Sequence, residues 1–144
     1  KMDRNVYEAV KNNDAKAMQT ALQATPSNIN ATNSKGMTCV MLCADKNQYQ
    51  CLELLCKLGK PDLNFKQTQP VKTEATALHM ACMRGNTECV QILLKYRAQV
   101  CPVDVKKATP LHFAAANGQV DCVKLLRQYG ANPDMEDYKG RTPK

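Results

Sequence analysis

The chain has no tryptophan, two phenylalanines and five tyrosines among 144 residues. So small an aromatic set offers little for reading nucleic-acid bases by stacking. No apolar run approaches the ~18–20 residues needed to cross a bilayer, so no membrane insertion is expected. No charged-then-apolar leader opens the segment, and no secretory signal is read there. The sequence holds no C-x-x-C pair, which argues against a zinc site. It also lacks a Gly-rich phosphate loop and any suggestion of a Ser-His-Asp or Cys-His arrangement, so no cofactor is implied and no enzyme is expected within this segment.

What the chain does have is cysteine, positive charge and repetition. Its eight cysteines could suggest a disulfide framework, but their positions point elsewhere. Cys51, Cys89 and Cys122 each follow Asn47, Gly85 and Gly118 by four residues. That slot suits a small apolar residue inside a helix, and a free thiol behaves as one. Free thiols imply a reducing compartment, so cytoplasmic or nuclear localisation is expected. Twenty lysines and arginines stand against 13 acidic residues, a net charge of +7.

The repetition is nearly literal. Ala75-Thr76-Ala77-Leu78-His79-Met80-Ala81-Cys82-Met83-Arg84-Gly85 returns as Ala108-Thr109-Pro110-Leu111-His112-Phe113-Ala114-Ala115-Ala116-Asn117-Gly118. Thr76, Thr109 and Thr142 follow one another at 33-residue spacing. A fixed period in this range signals a stacked array in which no unit can bury its apolar face alone. Locally, Thr109 suits a helix N-cap and Pro110 the first helical position. Gly85 and Gly118 suit the left-handed ending of that helix, with Asn13 and Asn47 as substitutes in earlier units. Val120, Cys122, Val123, Leu125 and Leu126 then recur at helical spacing, as do Cys89, Val90, Ile92, Leu93 and Leu94.

These motifs resemble the ankyrin-repeat family. The resemblance is carried by Thr109-Pro110-Leu111-His112, Ala114-Ala115, Gly118, Val123-Lys124-Leu125-Leu126 and Tyr129-Gly130-Ala131. Thr76-Ala77-Leu78-His79, Gly85, Val90 and Leu93-Leu94 carry it in the copy before. Weaker copies run through Gly36-Met37-Thr38, Asn47 and Leu54-Leu55, and through Ala9, Asn13, Met18 and Leu22. The resemblance implies an all-α solenoid of stacked helix-turn-helix units joined by β-hairpin loops. A single array is expected over residues 1–144, with units at about 1–32, 33–70, 71–103 and 104–136 and the start of a fifth at 137–144. The partial fifth copy suggests a segment of a longer protein. The resemblance also gives His79 and His112 a structural role, bridging hydroxyl and backbone groups between loops.

Two departures stand out. Thr38 and Thr76 are 38 residues apart, which places one surplus residue in 59–64 and the others within 65–72. Such insertions map to loops, often on the binding face. Glu74 and Lys107 also stand where other copies have Gly36 and Gly140. A left-handed backbone would cost each about 1–2 kcal/mol, so a different turn is expected at those tips.

The resemblance places partner contacts on the loop tips and the exposed ends of the inner helices. The candidates in those slots are Lys35, Met37, Lys46, Lys72, Met83, Arg84, Lys106, Asn117, Tyr138, Lys139 and Arg141, and the interrupted spacing adds Phe65 and Lys66. Basic residues dominate, with Met37, Met83 and Tyr138 adding adaptable apolar contact. The implied function is a non-catalytic protein-interaction module of a larger intracellular protein, itself a monomer. Its partner would be an acidic or phosphorylated peptide or protein surface held in a basic concave groove. The alternatives are a regulatory or targeting domain of an enzyme or channel, or a nucleic-acid binder acting by charge alone.

Overall fold

The computed structural model describes residues 4–24 and 29–143. Residues 1–3 and 25–28 of the expected first unit, and residue 144 of the fifth, lie outside the described residues. The helices come in pairs. They are α1 (Arg4–Lys11) with α2 (Ala15–Gln23), α3 (Cys39–Lys46) with α4 (Tyr49–Leu54), α5 (Ala77–Arg84) with α6 (Thr87–Lys95), and α7 (Pro110–Ala116) with α8 (Val120–Gln128). A π-helical turn, Leu55–Gly59, prolongs α4. The odd-numbered helices contact one another in chain order, and the even-numbered helices do the same. The result is two parallel rows of helices, an inner and an outer one.

The local starts and stops follow from residue chemistry. Thr38, Thr76 and Thr109 sit in extended backbone, and each hydroxyl accepts the amide three residues on. This satisfies one of the orphan donors of a helix N-terminus. Asn13 and Asn47 adopt the left-handed conformation that Gly85 takes elsewhere, with φ of 50°, 55° and 74°.

The core runs continuously between the two rows. Ala44, Ala81 and Ala114 on the inner helices have no exposed surface, and neither do Leu52, Leu93 and Leu126 on the outer ones. Small inner residues let the backbones approach, and the larger outer residues fill the layer behind them. Burying each such leucine contributes about 1.5–3 kcal/mol. Cys51, Cys89 and Cys122 lie in this layer as buried thiols.

The loops differ from the expected hairpins. No β-strand forms among the described residues. Each tip is a turn closed by a backbone bond, such as the Asp104 amide to the Ala108 carbonyl (3.0 Å) or the Asp137 amide to the Arg141 carbonyl (2.9 Å). The closing bonds of each tip involve the one residue at its base, as with Asp104, which bonds both Ala108 and Lys107, so pairing does not extend into a ladder. Glu74 and Lys107 correct a second expectation. Both keep the left-handed turn, at φ of 58° and 60°, rather than adopting another. The neighbouring bonds over-determine the backbone there.

The structure also sharpens the insertion. The Gln67 amide donates to the Ala75 carbonyl as the Asn33 amide donates to the Met37 carbonyl. Residues 68–74 therefore stand where residues 34–36 stand in the tip before. The main surplus is a bulge beyond Gln67.

Candidate functional site

Successive units are joined at their tips, and the joints consume most of the polar chemistry. In α5, His79 Nδ1 accepts the Thr76 amide at 3.1 Å. That leaves the proton on Nε2, which lies 2.9 Å from the Ala108 carbonyl of the next tip. His112 repeats the pattern, with Nδ1 on the Thr109 amide (3.0 Å) and Nε2 on the Arg141 carbonyl (2.8 Å). These are the bridges the sequence implied. Burial holds the His79 imidazole below its ordinary pKa, which favours the neutral form the bridge needs.

The thiols are equally committed. The Cys122 sulfur is held down to about 7 because the Cys82 thiol bonds to it, while Cys82 itself is raised. Both are buried, at 0% and 1% exposure, so neither reaches an outside electrophile. Among the described residues no group of three or more His, Cys, Asp or Glu converges as a metal site. No helix among them is long and apolar enough to cross a membrane.

What the joints leave outside is a row of lysines. At the fourth unit's tip, Asp104 Oδ1 accepts the Lys106 and Ala108 amides, each at 2.9 Å. At the following tip, Asp137 Oδ1 accepts the Lys139 amide (2.9 Å) and the Arg141 amide (3.0 Å). Asn33 plays the same part for Lys35 and Met37. The acidic side chains are turned into the tips as acceptors, and the lysines between them project. Turn amides and the Arg141 guanidinium hold the Asp137 carboxyl below its ordinary pKa even though burial opposes this.

The candidates from the sequence separate into groups. Lys35, Lys46, Lys72, Lys106 and Lys139 are exposed, and the Lys139 ammonium sits 5.6 Å from the centre of the Tyr138 ring. Met83 and Tyr138 are exposed at 42% and 53%. The two arginines already have partners: Arg84 pairs with Asp45 at 3.0 Å, and Arg141 with Asp137 at 3.0 Å. Lys66 is half-buried and donates to the Val103 carbonyl at 2.8 Å. Met37 and Phe65 are half-buried against the core. Asn117 is exposed, and its amide nitrogen donates to the Phe113 carbonyl of its own helix at 2.9 Å.

Further exposed residues flank those thirteen, among them Val105, which occupies another of the contact slots that the resemblance implies. Val71 and Val105 are 65% and 51% exposed at the tips, and Lys107 is exposed beside Lys106. Two side-chain joints escaped the sequence reading. Asn30 accepts the Asp62 amide at 2.7 Å, and Asn64 accepts the Gln99 amide at 2.8 Å. The only available signal was the near-33-residue spacing of these asparagines.

Residues 58–137, more than half of the chain, match the family profile described as ankyrin repeats, in three copies. The chain belongs to the ankyrin-repeat family. Ankyrin repeats are, as a family, protein-interaction modules. Over 78 residues, 54% of its length, this ankyrin chain is 41% identical to a Mus musculus protein named SMC5-SMC6 complex localization factor protein 1. The match covers 7% of that relative, so the chain spans a small part of its length.

Proposed function

We propose that this chain is a non-catalytic protein-interaction module that holds an acidic or phosphorylated segment of another protein on the basic face formed by its loop tips and inner-helix ends. The observation that carries the reading is the division of labour at the tips. Asp104 and Asp137 bond inward to turn amides, while Lys106 and Lys139 between them stay exposed. A surface whose anions are internally satisfied presents its cations to a partner. The name of the mouse relative supports a use in targeting, with this ankyrin array as one recognition part of a longer protein. In this reading the units at about 1–32, 33–70, 71–103 and 104–136, with a fifth begun at 137–144, act as one monomeric array. The buried free thiols support a reducing compartment, cytoplasm or nucleus.

The test is calorimetric titration of a Glu-rich peptide into the chain at low and high salt. Replacing Lys35, Lys106 and Lys139 together by Glu is expected to weaken binding at least about tenfold with the melting temperature preserved. Unchanged affinity would remove the basic face from the mechanism. Tighter, salt-steep binding to an unrelated DNA duplex would favour the nucleic-acid reading instead.

A further inference from the structure

The insertion after Gln67 reshapes the tip row. The Gln69 carbonyl oxygen lies over the preceding tip, so that a Cβ placed on Gly36 would fall 1.5 Å from it. Gln67 Nε2 also donates to the Lys35 carbonyl at 2.7 Å. The bulge thus roofs the second unit's tip and offers its own Val71 and Lys72 outward.

From there the tips are tied edge to edge. The Val105 amide donates to the Thr73 carbonyl at 2.9 Å, and the Tyr138 amide donates to the Lys106 carbonyl at 3.0 Å. One ridge therefore runs across three tips. Each contributes an exposed apolar residue followed by an exposed lysine: Val71-Lys72, Val105-Lys106, Tyr138-Lys139.

Spacing then constrains the partner. Helices in contact lie about 8–10 Å apart, so tips carried by successive inner helices repeat at about that interval. A chain in the extended polyproline-II form has three residues per turn and advances about 3.1 Å per residue, so every third side chain points the same way and one turn covers one interval. A phosphate group asks for something else: several donors converging on one point, often a forked guanidinium. Here the nearby arginines are paired with Asp45 and Asp137, and Lys72, Lys106 and Lys139 sit on three separate tips, with Lys107 beside Lys106 alone.

We propose that the ridge of Val71-Lys72, Val105-Lys106 and Tyr138-Lys139 docks an extended segment of another protein that carries Asp or Glu at every third residue with apolar residues between. The proposal rests on the protein-interaction reading above and narrows it to a carboxylate-bearing, unphosphorylated partner. The lysines would each meet one carboxylate, and Val71, Val105 and Tyr138 would cover the apolar residues between.

Fluorescence anisotropy with the whole chain tests this using four labelled probes. They are a peptide of about ten residues with Glu at every third position, a peptide of the same composition with its Glu residues contiguous, a phosphoserine peptide of equal net charge, and a single-stranded oligonucleotide. The spaced peptide is expected to bind at least about fivefold more tightly than the contiguous one. Lys72→Gln, Lys106→Gln and Lys139→Gln together should lose that preference, with an unchanged circular-dichroism melt. Lys124→Gln, on the outer helix α8, should keep it. If the contiguous or phosphorylated peptide binds as well as the spaced one, or if Lys124→Gln costs as much as the ridge substitutions, the ridge proposal fails and the broader basic-face reading stands. If no peptide binds, both fail. Tightest binding of the oligonucleotide overturns both in favour of nucleic acid.

Discussion

Between α5 and the tip that follows α6, His79 spans the joint from Thr76 to the Ala108 carbonyl. Between α3 and the tip that follows α4, the same position is Met41, 1% exposed in the core. That earlier joint is made from the other side: Gln67 reaches back to the Lys35 carbonyl. The two halves share a core of equal quality, with Leu52 and Leu55 as fully buried as Leu78 and Leu93, within 1%. They differ in how one tip is fastened to the next. Stacking needs only buried area, which many apolar residues supply. A joint needs a donor and an acceptor at set positions, and this chain meets that need with two different sets of side chains.

The largest effect should come from removing the histidine joint. His79→Ala strands the Thr76 amide in the interior, removes one of the two donors to the Ala108 carbonyl and empties the buried imidazole's place, and is expected to cost about 2–3 kcal/mol in urea unfolding. His112→Ala should cost less, because its side is more exposed and its acceptor, Arg141, is at the surface. Met41→His sharpens the contrast. The imidazole would replace an apolar side chain that is 1% exposed, so it should destabilise the first half unless it reaches the Ala75 carbonyl as His79 reaches that of Ala108. A gain in stability would show that the two joints are interchangeable.

The glycines at the tips give the next effect. Gly36→Ala places a Cβ against the Gln69 carbonyl at φ +75° and should cost about 2 kcal/mol or more. Gly140→Ala has the same φ, but the nearest atom is the movable Glu136 carboxylate oxygen at 3.4 Å, so about 1 kcal/mol is expected. Equal losses in thermal melts would mean that the bulge does not rest on the second tip.

Acid should then separate the halves. The folded chain holds His79 below its ordinary 6.5, chiefly through burial, so the unfolded chain takes up the proton first as pH falls. The stability from this site is full above about pH 6.5 and declines below it, at no more than about 1.4 kcal/mol per pH unit. The urea midpoint should fall between pH 7.5 and 5.5, and the fall should shrink in His79→Ala. Glu53, held down by the Tyr96 hydroxyl and Lys95, titrates below its ordinary 4.5 and stays outside that window. The smallest expected effect is a gain. Lys107→Gly relieves a left-handed lysine and should raise stability by about 0.5 kcal/mol, net of the freedom glycine adds to the unfolded chain.

Much of this architecture was legible locally. Thr76, Thr109 and the Pro110 after it mark helix starts through capping chemistry that involves only neighbours in sequence. Asn13, Asn47 and Gly85 mark the stops for the same reason. The candidate surface was legible in part. Lys35, Lys72, Lys106 and Lys139 are exposed as their slots implied, whereas Arg84, Lys66 and Phe65 are engaged by Asp45, Val103 and the core. Those engagements join residues about one unit apart or farther, and no rule of local spacing reveals them.

The sequence alone determined the period, the helix boundaries, the thiol layer and the sign of the surface charge, because each depends on short-range propensity or on composition. Tertiary structure decided which charges remain available and where the surplus loop goes. Asp45 neutralises Arg84 only because α3 and α5 stack, and Gln69 covers Gly36 only because two tips meet. Glu74 and Lys107 make the same point in the backbone. Intrinsic preference argues for another turn, yet the closing bonds of the stacked tips hold both left-handed, since several hydrogen bonds outweigh a cost of about 1–2 kcal/mol.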